Sequence, residues 1–205
     1  MNGAAGRRRS LARSMLFALL VISLLATGRV ASAAESPRVL IRTEVGDIVV
    51  EVQASRAPLT AANFLRYVDA GAYDGTTFFR TVTMDNQPAT NVKIEVIQGG
   101  EVDPAREFPP VVHETTRRTG LSHAEGVVSM ARDKPGSATS SFFICINDQP
   151  ELDYGGRRNP DGQGFAAFGR VVAGMDVVRK IQKLPAQGQQ LVPRVKILSI
   201  NRIKK

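Results

Sequence analysis

From Val39 onward, apolar residues come in short bursts. They alternate with polar ones or run on as a few β-branched and aromatic residues, and most bursts stop near glycine, proline, asparagine or aspartate. Period-two patterning with frequent turn residues predicts half-buried strands. Residues 39–41 and 48–52 flank Glu44-Val45-Gly46-Asp47 and read as a hairpin. Further strands are expected over 76–82, 92–98, 126–131, 141–146, 166–172 and 195–203. Two stretches have helical spacing instead. Ala61, Phe64, Leu65 and Val68 share one face of a helix opened by Pro58, with Thr60 as the expected N-cap and Gly71 as the stop. Met175, Val178 and Ile181 mark a second helix over 174–183. Between these elements, 84–91 is a polar loop. Residues 101–120 carry Pro104, Pro109 and Pro110 and are expected to cross the surface. Residues 153–164 form a Gly/Arg/Asn/Asp-rich loop. No repeat or low-complexity segment interrupts this order. Short strands with two helices predict a mainly β domain, an antiparallel barrel or a sandwich.

The first 33 residues follow a different pattern. Arg7-Arg8-Arg9 is followed by an apolar stretch over 15–26 whose only polar member is Ser23, and then by Ala31-Ser32-Ala33. Basic region, apolar core and small-residue cleavage site make a secretory signal peptide over 1–33. A mature domain over 34–205 follows, in the periplasm or secreted, with no stable membrane insertion after cleavage. The apolar run is shorter than the about 20 residues a membrane span needs, although an uncleaved tethered form stays open. The strongly apolar core favours the general export route over the twin-arginine route that Arg8-Arg9 faintly suggests. This segment also inflates the net charge of +8. Five arginines precede Ala34 and no acidic residue does, so 27 − 5 = 22 basic residues face 19 acidic ones, or +3. With no basic run interleaved with aromatics, nucleic acid is set aside as a partner. The chain of 205 residues suits one domain with a sizeable core. Cys145 is the only cysteine and lies in an apolar run, so a buried thiol without a disulfide is expected.

The candidate chemistry lies on three predicted strands: Phe78-Phe79-Arg80, Ile97-Gln98-Gly99-Gly100, and Ser140 to Ile146. One arginine, one glutamine and a row of aromatics recur there, without a nucleophile–base pair, metal cluster or phosphate loop. The combination suits a site that holds an apolar group and polarises an amide while no covalent bond breaks. No cofactor or metal is expected. His113 and His123 read as surface or loop histidines, and Asp153, Asn159 and Asp161 lack the spacing of a calcium loop.

With these residues in hand, the chain resembles the cyclophilins, a family of peptidyl-prolyl cis–trans isomerases. The matching motifs are Asn63-Phe64, Gly75 to Arg80, Ile97 to Gly100, Gly126 to Ala131, Ser140 to Cys145, Leu152-Asp153, and Phe168-Gly169-Arg170-Val171 before Gly174-Met175-Asp176-Val177-Val178. They fall in family order across roughly residues 39–203, and the 149–164 loop looks most like exported bacterial members. The resemblance implies an eight-stranded closed antiparallel barrel capped by two helices, with a peptide groove on its outer face. It implies Arg80 as the cation that polarises the prolyl amide and Gln98 as its orienting partner. Phe143, Leu152 and Val96 match the proline pocket, with Phe142 in the core because strand neighbours face opposite ways. Ala131 and Arg132 match positions lining the groove through their backbone, and Ser141 and Phe165 also match groove positions.

Several positions depart from the family. Phe79 replaces a histidine, Ser141 a glutamine, Glu151 a tryptophan and Phe165 a histidine, while Glu95 aligns with a pocket phenylalanine. Loss of the tryptophan donor implies weak cyclosporin binding. The expected partners are proline-containing polypeptides, and the expected state is a monomer. The competing reading is a non-catalytic module or chaperone that holds proline segments.

Overall fold

The computed structural model describes residues 36–204; the signal peptide expected over 1–33 lies outside them. The strands are β1 (Arg38–Thr43), β2 (Gly46–Val52), β3 (Thr77–Val82), β4 (Val96–Gly99), β5 (Val127–Met130), β6 (Phe142–Cys145), β7 (Ala166–Ala173), β8 (Ala186–Gln187) and β9 (Gln190–Arg202). The α-helices are α1 (Pro58–Asp69), α2 (Thr116–Thr119) and α3 (Met175–Gln182). Hydrogen-bonded neighbours run β1-β2-β7-β5-β6-β4-β3-β9, and β9 returns to β1. Eight strands, all antiparallel, thus close a barrel, and β8 is a two-residue flap on β9. Closure depends on the length of β9. Its C-terminal half pairs with β1 (Leu40↔Asn201, Ile41↔Ile200), and earlier residues pair with β3 (Phe78↔Val195).

Inward positions fill the barrel with Val39, Ile41, Ile48, Val50, Phe78, Ile97, Val128, Phe142, Ile144 and Phe168, all fully buried. On α1, Phe64 packs on Phe168 at a ring separation of 4.8 Å and edge-on to Phe142 at 5.6 Å. Such aromatic pairs contribute about 0.5–1.5 kcal/mol beyond their buried area. Val178 and Ile181 bury the apolar face of α3.

Four local expectations are corrected. Among the described residues there are three α-helices rather than two, because the polar run 101–120 ends in the short helix α2. That run is not wholly superficial, since Glu114, Thr116 and Thr119 are buried. Thr60 is not the N-cap of α1; Ala57 holds that position and Pro58 opens the helix. The orphan donors are met from elsewhere, as Glu114 Oε2 accepts from both the Thr60 backbone N and its Oγ1 at 2.7 Å. A carboxylate there also faces the positive end of the helix dipole. Finally, the strand expected over 92–98 is confined to β4, whereas the one expected over 195–203 begins five residues earlier as β9.

The outer face of the wall formed by β3, β4 and β6 is apolar. Val82, Val96, Phe143 and Cys145 form a second buried cluster there with Ile94 and Leu152, flanked by Ala131 and Phe165. Alternation explains the split: Phe142 points into the barrel core and Phe143 into the outer cluster.

Candidate functional site

Regular alternation would put Arg80 on the same face as Phe78, inside the barrel. A β-bulge prevents this. Phe78 pairs with Gly99 and Arg80 with Gln98, so Phe79 is the extra residue, and the ladder to β9 shifts at the same place. A bulge re-aims the side chains that follow it, and Arg80 stands on the outer face beside the apolar cluster. Its guanidinium is held by two glutamines. Nη1 donates to Gln98 Oε1 at 2.9 Å, and Nε and Nη2 donate to Gln189 Oε1 at 2.9 and 2.6 Å. Of its five N–H groups, these bonds use three, leaving 5 − 3 = 2 without an acceptor among the described residues. Both partners are neutral. Burial, and then the charge on Arg158, depress the Arg80 pKa below its ordinary value. Gln98 is fixed in turn, donating from Nε2 to Ser141 Oγ at 3.1 Å. Gln189 Nε2 donates to the Asn86 carbonyl at 3.1 Å.

Beside Arg80 lies an apolar hollow. Phe143 forms its floor, and Phe165 meets that ring edge-on at 5.2 Å. Phe165 reaches this place because its N–H donates to the Leu152 carbonyl at 2.9 Å, just after Gly164 passes close to the chain at 152–153. Gly164 has φ +62°, and a Cβ there would come within 2.5 Å of the Leu152 carbonyl oxygen, so only glycine fits. Behind the floor, the His123 ring stacks on Phe143 at 5.9 Å. His123 Nδ1 is 2.7 Å from Asp153 Oδ1, and Nε2 is 2.9 Å from Ser129 Oγ. This is the connectivity of a hydrolytic triad, but Ser129 is fully buried, so no acyl substrate reaches its hydroxyl. The chain braces Phe143 from below.

Arg80, Gln98, Val96, Ala131, Arg132, Ser141, Phe143, Leu152 and Phe165 all line one cavity of about 560 Å³. A cavity of this size has room for a prolyl ring together with flanking residues. Arg132 enters through its side chain, which is 1% exposed. It pairs with both carboxylate oxygens of Asp161 at 2.7 and 2.9 Å, donates to the Gly164 carbonyl, and lies 5.2 Å from the Phe165 ring centroid. Arg132 therefore clamps the 153–164 loop. Glu95 does not line the cavity. It accepts from Asn147 and Gln182, and Ile94 takes the wall position. Glu151, where the family carries tryptophan, is engaged by Arg157 at 2.7 Å. His123 lies in the loop between α2 and β5, as expected, but its ring is buried rather than at the surface. His113 is half-buried, with Nε2 3.2 Å from the Gln163 carbonyl oxygen, and burial lowers its pKa. Cys145 is fully buried, and burial pushes its thiol pKa far up, which leaves it inert as a nucleophile. Sequence reasoning missed Gln189, Ile94, Arg158 and Asn159. Gln189 sits in a Gly-Gln turn with no periodic signal, and Arg158 and Asn159 lie in a loop whose composition predicts only a turn.

Comparison with known proteins places this geometry. The family model described as cyclophilin type peptidyl-prolyl cis-trans isomerase matches residues 38–202. Peptidyl-prolyl cis-trans isomerase A of Dickeya dadantii is 34% identical over 180 residues, covering 85% of this chain and 86% of that protein. Peptidyl-prolyl cis-trans isomerase B of Escherichia coli is 36% identical over 149 residues, covering 70% and 83%. Among solved structures, a Cryptosporidium parvum cyclophilin-type isomerase superposes with a TM-score of 0.63 at 22% identity, over 83% of this chain and 99% of that one. Its structure in the presence of the dipeptide Ala-Pro gives a TM-score of 0.62 at 23% identity, over 82% and 99%.

Proposed function

We infer the reaction from one premise: the chain belongs to the cyclophilin-type peptidyl-prolyl cis–trans isomerase family, with the family domain spanning residues 38–202. It is an isomerase that accelerates rotation about X-Pro peptide bonds in proline-containing polypeptides. The observation that carries the assignment to this cavity is Arg80, with two N–H groups unused among the described residues, beside the hollow floored by Phe143.

The X-Pro amide turns slowly because resonance stiffens its C–N bond, with a barrier of about 18–20 kcal/mol. Catalysis requires tighter binding of the twisted amide than of either planar form. When the amide twists, its nitrogen lone pair leaves conjugation and becomes a hydrogen-bond acceptor. The free N–H groups of Arg80 meet the prolyl carbonyl and that nitrogen. The apolar walls of Phe143, Leu152, Val96 and Phe165 hold the pyrrolidine ring while the preceding residue rotates. Gln98 keeps the guanidinium in register, and Ser141 anchors Gln98. No bond is made or broken and no proton moves. Arg80→Ala is expected to lower kcat/KM on a short X-Pro peptide by roughly 10²–10³-fold, as loss of a pre-aimed donor does, with the thermal midpoint little changed. Equal rates for wild type and variant, by NMR exchange or a protease-free assay, would remove Arg80 from the reaction. Peptide binding without any rate enhancement would replace the enzyme by a holding module.

Two narrower proposals accompany this reading. Cyclosporin affinity is weak, because Glu151 is occupied by Arg157 and offers no indole donor; nanomolar binding in a titration contradicts this. The domain works outside the cytoplasm, as a monomer in the periplasm or secreted, after removal of residues 1–33. The three-part pattern of that segment supports this placement.

A further inference from the structure

We propose that Arg158 makes this isomerase selective for prolyl bonds flanked by an acidic side chain, whose carboxylate it binds at the rim of the same cavity. This rests on the isomerase site just described and adds a preference for the flanking sequence.

Arg158 belongs to the 153–164 loop and lines the cavity with Arg80. One nitrogen is committed: Nη1 donates to Gln87 Oε1 at 3.0 Å and to the Val92 carbonyl at 2.7 Å, which pins the side chain against the segment before β4. Its Nε and Nη2 have no acceptor among the described residues, and no carboxylate pairs with it there. Nε and Nη2 form one edge of the guanidinium fork, the edge that takes a carboxylate through two parallel bonds. A part-buried guanidinium normally has an anionic partner, because taking the charge out of water is costly. Here two such groups, Arg80 and Arg158, line one cavity with only neutral partners, and burial disfavours the charge on each. Asn159, next in the chain, adds a donor. Its Nδ2 is buried in the same wall without a hydrogen-bond partner among the described residues, and a buried group of this kind calls for a ligand or an explanation.

Of the other charged residues lining the cavity, Arg132 is already paired with Asp161, and apart from Arg80 the rest are acidic. Glu101 and Glu107 follow β4 in the chain and Asp133 follows β5, and all three line the cavity. Arg158 is pinned to Val92, ahead of β4. The carboxylates lie at the end of β4 away from Arg158, so an acidic side chain is favoured at the Arg158 end.

The test compares kcat/KM for matched peptides carrying Glu or its neutral isostere Gln at each position flanking Ala-Pro. In low salt the wild type should prefer Glu at one flanking position by about five- to twenty-fold, the range of a charge-assisted bidentate contact. Raising salt from about 0.02 to about 0.5 M should shrink the preference toward unity through screening. Arg158→Gln should abolish it and Arg158→Lys should retain part of it. A Glu/Gln ratio near one at every position in the wild type overturns the proposal, as does a ratio that survives in Arg158→Gln. Should that variant fail to fold, the salt dependence of the wild type decides alone. Absence of turnover on the Gln peptides would instead overturn the isomerase site itself.

Discussion

Arg80 works as a donor only if its plane is fixed before substrate arrives, and that fixing comes from residues far apart in the chain. Gln98 is 18 positions away and Gln189 is 109. Gln189 accepts two of the three bonds that aim the guanidinium, so Gln189→Ala should lower kcat by about five-fold, near the about 1 kcal/mol of one net hydrogen bond. KM should stay close to the wild-type value. In an Arg80→Ala background the same change should cost almost nothing, an outcome that a merely structural role for Gln189 does not produce. Steady-state kinetics on the four proteins reads this directly. Arg80, Gln98 and Phe143 were legible because each stands in a compact strand motif with aromatic or glycine neighbours. Gln189 was not, because a glutamine in a tight polar turn looks like any solvated side chain. The burial of His123, on the loop before β5, is hidden from the sequence for a related reason. Its partners Asp153 and Ser129 lie 30 and 6 residues away, and only the fold brings them to the ring.

At the level of elements, local rules located strands and helices well and misassigned what holds their ends. Thr60 satisfied the sequence preference for an N-cap, but the helix is completed by Glu114, 54 residues on. The bulge at Phe79 leaves no mark in the hydrophobic pattern, yet it decides which face Arg80 occupies. The 153–164 loop read as a polar turn, and it is one, but it also supplies a wall of the cavity because Arg132 ties Asp161 and Gly164 together. Hydrogen bonds from the Arg132 side chain, and then from the Gln163 backbone N, lower the Asp161 pKa from 3.8 to about 2. A depressed folded-state value means the stabilisation is present above the unfolded value and is lost as pH falls through the folded one. The gap in thermal midpoint between wild type and Asp161→Asn should therefore be full at neutral pH, narrow below about pH 4 and vanish only below about pH 2. A gap that stays constant over this range would remove Asp161 as the titrating anchor.

For the whole molecule, alternation and turn signals established antiparallel β structure but left barrel and sandwich equal. The number of strands and the hairpin order are compatible with both; the difference lies in whether β9 reaches back to β1, and pairing over 160 positions is not written in local periodicity. Family motifs resolved it, because they fix order and spacing over the whole domain. The charge balance also belongs to this scale. If residues 1–33 are removed on export, the mature protein begins at Ala34 and its formal charge falls from +8 to +3. Intact mass and native mass of the protein recovered from the cell envelope or culture medium should give that N-terminus and a single copy. An N-terminus still at Met1 in a membrane fraction would instead identify a tether.

The long final strand has a temporal corollary. Its seam joins the first stave of the ring to the last one synthesised, with Val39 beside Arg202. Until β9 pairs, β1 and β3 each keep a raw edge. β9 locks the ring by pairing with β1, and Arg80, held through Gln189 just ahead of that strand, takes its final aim only with β9 in place.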